Sequence, residues 1–172
     1  MNNSTITISR YSDKLCYEAR LVALRAHGDQ AYAGIFPYEK HLNDVVQVLK
    51  RFGYTGIYEI CGWLHDSIED GNLSYNKIKE YFGEDVAEAV FAVTDELGRN
   101  RIERKEKTYP KIFKIKLAQV VKVADRIANI EHGGKVDMYR KEHRVFKQSI
   151  HIAGVCDELW LYLESLIGFE NE

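Results

Sequence analysis

The 172-residue chain predicts an all-α fold, a single helical bundle. Three observations carry that prediction. Apolar residues recur at spacings of three and four in about seven segments. Serine, aspartate and glycine stand where those segments would start and stop, and only two prolines interrupt the chain. Strand-like alternation is confined to Thr5-Ile6-Thr7-Ile8, inside a polar start expected to be a flexible N-terminus over residues 1–11.

The elements follow in order. Ser12 or Asp13 caps a first helix running to about Gln30, with Leu15, Ala19, Val22, Ala23 and Ala26 as its inner stripe. Tyr32 to Phe36 reads as a loop, and Pro37 suits the first position of a new helix. That helix turns Val45, Val48, Leu49 and Phe52 inward, and Gly53 ends it. A third spans about Ile57 to Ser67. Ser74 caps a short helix closed by Gly83, and Glu84 to Asp95 follows with Val86, Ala89, Val90 and Val93 at helical spacing. Arg99 to Pro110 shows no clear period and reads as a loop with a helical turn. Ile112 to Ile130 is strongly apolar and helical; Tyr139 to Ile152 and Val155 to Ile167 complete the set.

Size and composition set bounds. A chain of this length forms one domain over residues 1–172 and buries roughly 70% of its unfolded surface. No apolar run reaches the ~20 residues of a membrane span, and no signal-peptide pattern opens the chain. Three scattered cysteines, Cys16, Cys61 and Cys156, form no C-x-x-C pair, so the expected compartment is the reducing cytoplasm. A net charge of −2 gives no general affinity for nucleic acid. From Arg99 to Lys116, however, eight basic residues face two acids. Such a run is either a solvated face or a funnel for a small polyanion.

The chemistry gathers at Gly62-Trp-Leu-His65-Asp66-Ser-Ile-Glu69-Asp70. On a helix His65 and Glu69 are four apart, as are Asp66 and Asp70, so the four share one sector. Carboxylates crowded beside an imidazole are stable near neutral pH when a cation sits among them or when some hold protons. Taken alone, an acidic helix end is simply solvated. Asp125, inside the apolar 112–130 helix, needs a salt bridge or a metal. His41 alone is a polar residue near a helix start. Together, His41, His65, Asp66 and Asp125 offer two imidazoles and two carboxylates. That set suits a borderline-to-hard divalent ion, manganese or iron before copper.

Four separated motifs carry a resemblance: His27-Gly-Asp-Gln30, Pro37-Tyr-x-x-His41, His65-Asp66-x-x-Glu69-Asp70, and Ala124-Asp125-Arg126-x-x-Asn129. In this order, over about residues 15 to 150, the chain resembles the HD-superfamily hydrolase domain of RelA/SpoT-type proteins. Its length is similar to that of the stand-alone members, the small alarmone hydrolases. The resemblance implies an HD-type bundle in which His41, His65, Asp66 and Asp125 hold one Mn²⁺. It implies that Glu69 and Asp70 serve the chemistry and that Asn129 approaches the nucleotide. The implied reaction removes the 3′-pyrophosphate of guanosine tetra- or pentaphosphate, (p)ppGpp, leaving GDP or GTP. A small nucleotide is then the partner, with neither nucleic acid nor membrane. Arg104, Lys107 and Lys122 are the cations expected to neutralise the leaving pyrophosphate. His27 is expected to be structural.

One departure concerns the base. RelA/SpoT-type proteins usually carry an arginine where this chain has Tyr32. Tyrosine can stack on a purine, but the change puts guanine against adenine, that is (p)ppGpp against (p)ppApp. Tyr32, Asn129 and the Tyr139–His143 segment are the positions expected to choose the base. Two rivals remain: another HD nucleotide phosphohydrolase, which would release phosphate, and a regulator that binds the nucleotide without cutting it.

Overall fold

The computed structural model describes residues 11–168 and contains nine helices and one two-stranded ladder among them. The expected flexible start and the Thr5–Ile8 alternation fall almost wholly outside the described residues. The elements are α1 (Asp13–His27), β1 (Ala31–Tyr32), β2 (Phe36–Pro37), α2 (Glu39–Arg51), α3 (Ile57–Leu64), α4 (Tyr75–Phe82), α5 (Glu84–Val93), α6 (Arg101–Phe113), α7 (Lys116–Glu131), α8 (Val136–Ile150) and α9 (Asp157–Ile167). The all-α reading holds.

The capping signals work as the side chains dictate. Ser12 accepts the Leu15 amide and Ser74 the Lys77 amide, each satisfying one orphan donor of a first turn. The helix with the most buried residues, α7, is also the most central. It packs against α2, α3, α5, α6, α8 and α9, and Val120, Val121, Val123, Ala124 and Ile127 are essentially inaccessible.

Three local readings are corrected. The segment read as a loop from Arg99 to Pro110 is α6, capped by Asn100, whose side chain accepts the Glu103 amide at 3.0 Å. Its buried face is Lys105, Thr108, Tyr109 and Ile112. That spacing is helical, but two of the four residues are polar, so hydrophobic periodicity does not register it. The loop from Tyr32 to Phe36 closes a short antiparallel ladder, with Tyr32 opposite Phe36 and Ala31 opposite Pro37. Its turn passes through Ala33 and Gly34, both at positive φ, 52° and 75°. Pro37 ends that ladder, so α2 starts two residues later than read. Finally, α3 stops at Leu64, and residues 65–70 continue as turns.

Helices α2 and α3 cross at Gly62. A Cβ there would stand 2.8 Å from Leu49 Cδ1 and 3.0 Å from Val46 Cγ2, both in the core. Gly62→Ala is therefore expected to destabilise the fold by about 1–3 kcal/mol through overpacking. Chemical denaturation would show this as a lower midpoint at unchanged slope; an unaltered midpoint would mean the crossing is loosely packed.

Candidate metal centre

Three helices meet at one point. His41 comes from the first turn of α2, His65 and Asp66 from the turns just past the end of α3, and Asp125 from the middle of α7. Ligand atoms of His41, His65 and Asp66 lie within 4.8 Å of one another. The two Nε2 atoms are 3.3 Å apart, and Asp66 Oδ2 is 3.1 Å from that of His65 and 3.5 Å from that of His41. Asp125 Oδ1 closes the fourth side, 3.4 Å from His41 Nε2 and 3.8 Å from His65 Nε2. Both histidines are buried, at 3% and 1% exposure.

Second contacts aim these groups. His65 Nδ1–H donates to the Gly62 carbonyl at 2.9 Å, which leaves the Nε2 lone pair facing the cluster, as a metal-ligating imidazole requires. Tyr38 O–H donates to Asp66 Oδ2 at 2.6 Å and lies 3.2 Å from Asp70 Oδ2. His27 stacks on Tyr38 with ring centroids 4.3 Å apart and bonds Gln30. Asp125 receives Lys122 Nζ on Oδ2 at 2.9 Å and Asn129 Nδ2 on Oδ1 at 2.7 Å.

The electrostatics are those of a cation site. Burial alone would raise Asp66 and Asp125, yet the facing imidazoles, and Lys122 for Asp125, hold both carboxyls well below the usual range. Burial likewise opposes charge on His41, but hydrogen bonds to Asp125 and Asp66 push it up to about 10. The carboxylates thus demand positive charge where the Nε2 atoms converge, and a proton on His41 is the weakest substitute for a divalent ion. Two neutral imidazoles and two carboxylates, with room left in the coordination sphere, fit such an ion.

The other expected residues are placed as follows. Glu69 and Asp70 lie one turn beyond the cluster, with the Asp70 amide bonded to the Asp66 carbonyl. Burial raises the Glu69 pKa, and its Oε2 accepts the Asp95 amide at 2.9 Å. Tyr32 stacks on His41 at 4.8 Å, and its hydroxyl donates to Asn129 Oδ1 at 3.1 Å. Asn129 therefore links Tyr32 to Asp125. His132, for which the sequence offered no role, leans on Tyr32 at 4.8 Å and meets Phe36 edge-on at 5.4 Å.

The basic segment is neither a bare solvated face nor an open funnel. Arg99 and Lys107 pair with Glu103, Arg101 with Glu142, Lys105 with Asp95 and Lys111 with Glu96. Lys107 also donates to the Leu97 carbonyl. Arg104 keeps a buried Nε without a hydrogen-bond partner among the described residues. His143, which read equally well as a surface residue, is fully buried and sits 3.0 Å from Glu164. Sequence reasoning missed Tyr38 as a support of Asp66, although its place three residues before His41 puts both on one helix face. It also missed the Lys105–Asp95 pair, for which no local signal exists.

The helical bundle brings a His-Asp pair, a further histidine and a further aspartate to one point, the arrangement that the resemblance to HD-type domains leads one to expect. No protein-family model matches the chain. Known proteins narrow the class. The chain is 29% identical over 137 residues to the guanosine-3′,5′-bis(diphosphate) 3′-pyrophosphohydrolase of Aquifex aeolicus (strain VF5), covering 76% of this chain and 19% of that protein. It is 32% identical over 99 residues to guanosine-3′,5′-bis(diphosphate) 3′-pyrophosphohydrolase MESH1 of Xenopus tropicalis, covering 55% of this chain and 54% of that one. The chain spans about a fifth of the length of the longer curated relatives it matches. Its fold matches that of a solved metazoan ortholog of SpoT, described as hydrolysing ppGpp and playing a role in starvation responses. The TM-score is 0.73 at 23% identity, over 92% of this chain and 96% of that one. In sequence the chain is similar to RelA/SpoT-type pyrophosphohydrolases, and its fold is that of the solved SpoT ortholog. Among the described residues no helix is long and apolar enough to cross a membrane.

Proposed function

We propose that this domain removes the 3′-pyrophosphate of (p)ppGpp, giving GDP or GTP and pyrophosphate, with Mn²⁺ held by His41, His65, Asp66 and Asp125. The observation that carries this reading is the convergence of those four side chains from three helices, with Glu69 and Asp70 one turn away. Relatives described as guanosine-3′,5′-bis(diphosphate) 3′-pyrophosphohydrolases support the substrate. Bound there, a divalent ion would activate water and draw charge from the phosphoryl oxygens.

The protein groups handle the protons and the charge. Attack of water on the phosphorus attached to the 3′ oxygen breaks that P–O bond, so one proton must leave the water and one must reach the 3′ oxygen. Glu69, raised by burial, suits the first task because its proton affinity lies nearer neutrality. Asp70, one residue on and 3.2 Å from the Tyr38 hydroxyl, is the carboxyl we assign to carry a proton to the 3′ oxygen. Lys122, fixed on Asp125, and Arg104, with its unpartnered Nε, are the cations we assign to the charge on the pyrophosphoryl group that water attacks. Lys107 contributes less to that task, because Glu103 and the Leu97 carbonyl already hold its amine.

A second reading, (p)ppApp as substrate, is kept open by one observation. At Tyr32, which we take as the base position, the ring leans on His132, which in turn meets Phe36, and an aromatic face accepts adenine as well as guanine. Tyr32→Ala is expected to raise KM roughly 10-fold, as one base-stacking contact is worth about 1–3 kcal/mol. Manganese content should barely change. Metal loss at constant KM would instead make Tyr32 a support of His41.

The deciding experiment incubates the Mn²⁺-loaded protein with ppGpp and ppApp separately and resolves the products. GDP with pyrophosphate supports the proposal, and ADP with pyrophosphate supports the second reading. Inorganic phosphate as the only phosphorus product would point to another HD phosphohydrolase. Binding without turnover would point to a regulator.

A further inference from the structure

We propose that Lys105 and Asp95 form a positioning pair that holds the Glu69 carboxylate in place for proton transfer. This rests on the reading of Glu69 as a residue of the chemistry. The Asp95 amide donates to Glu69 Oε2 at 2.9 Å. Asp95 itself lies two residues beyond the end of α5, in a segment with no regular structure to hold it. The hold comes from α6. Lys105 Nζ reaches both Asp95 carboxylate oxygens at 2.8 Å. Thr108 Oγ1 accepts the Glu96 amide at 2.9 Å, and Lys111 Nζ donates to the Thr94 carbonyl at 2.9 Å.

Residues 94, 95 and 96 are thus each gripped by one side chain of α6, from positions 111, 105 and 108. Those positions repeat every third residue and so stay on one side of the helix. The Lys105 and Asp95 side chains are 10% and 9% exposed. A shielded two-contact ion pair keeps its geometry far better than a surface pair, and breaking it leaves a buried charge. The amine also offsets the Asp95 charge, which otherwise stands beside the Glu69 carboxylate. Lys122 and Asp66 are the other charged groups that act on Glu69. Both functions, holding the amide and offsetting the charge, act through Glu69 and need no contact between Lys105 and substrate.

The test measures kcat, KM, manganese content and circular dichroism on the full chain with ppGpp. Lys105→Met is expected to lower kcat roughly 10- to 100-fold, the scale of a ~1 Å misplacement, with KM and bound manganese within about twofold. Lys105→Arg should recover most of the loss. In a Glu69→Gln background, Lys105→Met should cause no further loss, since the two act as one unit. If Lys105→Met fails to fold, Asp95→Asn with Lys105→Met removes both buried charges and keeps the amide, and the same losses are expected. An unchanged kcat, an equal loss in both backgrounds, or a rise in KM alone would overturn the proposal. Full turnover by Glu69→Gln would instead overturn the reading of Glu69 itself.

Discussion

Asp125→Ala is expected to strip the protein of manganese and abolish turnover. Asp125 is the one member of the cluster supplied by α7, and both imidazole Nε2 atoms face its Oδ1 within 3.8 Å. Groups that merely orient a ligand are worth about 10- to 100-fold in metal affinity, so losing the ligand itself should weaken binding by more than roughly 100-fold. The substitution also orphans Lys122, whose buried ammonium depends on the Asp125 charge. An uncompensated buried charge costs about 3–5 kcal/mol, so part of the effect should appear as a lower Tm. His65→Ala provides the control, because it removes a ligand without stranding a lysine. Elemental analysis after dialysis reads the outcome. Manganese retained at one equivalent by both variants would dismantle the ligand assignment.

Glu69→Gln combined with Asp70→Asn is expected to keep the metal and lose turnover by roughly 10²- to 10⁴-fold, the usual worth of a positioned proton-transfer group. Neither residue belongs to the cluster of ligand atoms, and both amides preserve shape. Glu69 must be deprotonated to accept a proton, and burial raises its pKa. The acid limb of the kcat/KM profile is therefore expected above the ordinary glutamate range, and Glu69→Gln alone should remove it. Retained activity in the double variant would place the chemistry elsewhere.

Much of this site was legible in the one-dimensional chain. Asp125 was conspicuous because an aspartate amid Val123, Ala124 and Ile127 is costly unless compensated. The His-Asp and Glu-Asp pairs were legible from their four-residue spacing; the helix itself stops at Leu64, and the turns over 65–70 keep that spacing through the Asp70 amide on the Asp66 carbonyl. Tyr32 was legible only in part. Its aromatic nature was plain, whereas its seat on His41 and its bond to Asn129 depend on a turn through Ala33 and Gly34 that folds β1 back onto β2.

By itself the sequence determined the helical class and most helix boundaries to within a few residues. These follow from local physics: apolar spacing and capping side chains. His41, His65, Asp66 and Asp125 stand out only as a set, by their combined chemistry and by the motif resemblance, and the fold brings the four side chains together. The tertiary structure alone decided what the basic segment does. Its cations find Asp95, Glu96, Glu103 and Glu142, and three of those four acids lie outside α6. Pairing over such separations is set by how α5, α6 and α8 pack, so no window along the chain contains it. The same holds for the buried face of α6, where a lysine and a threonine occupy positions that hydrophobic periodicity reserves for apolar side chains.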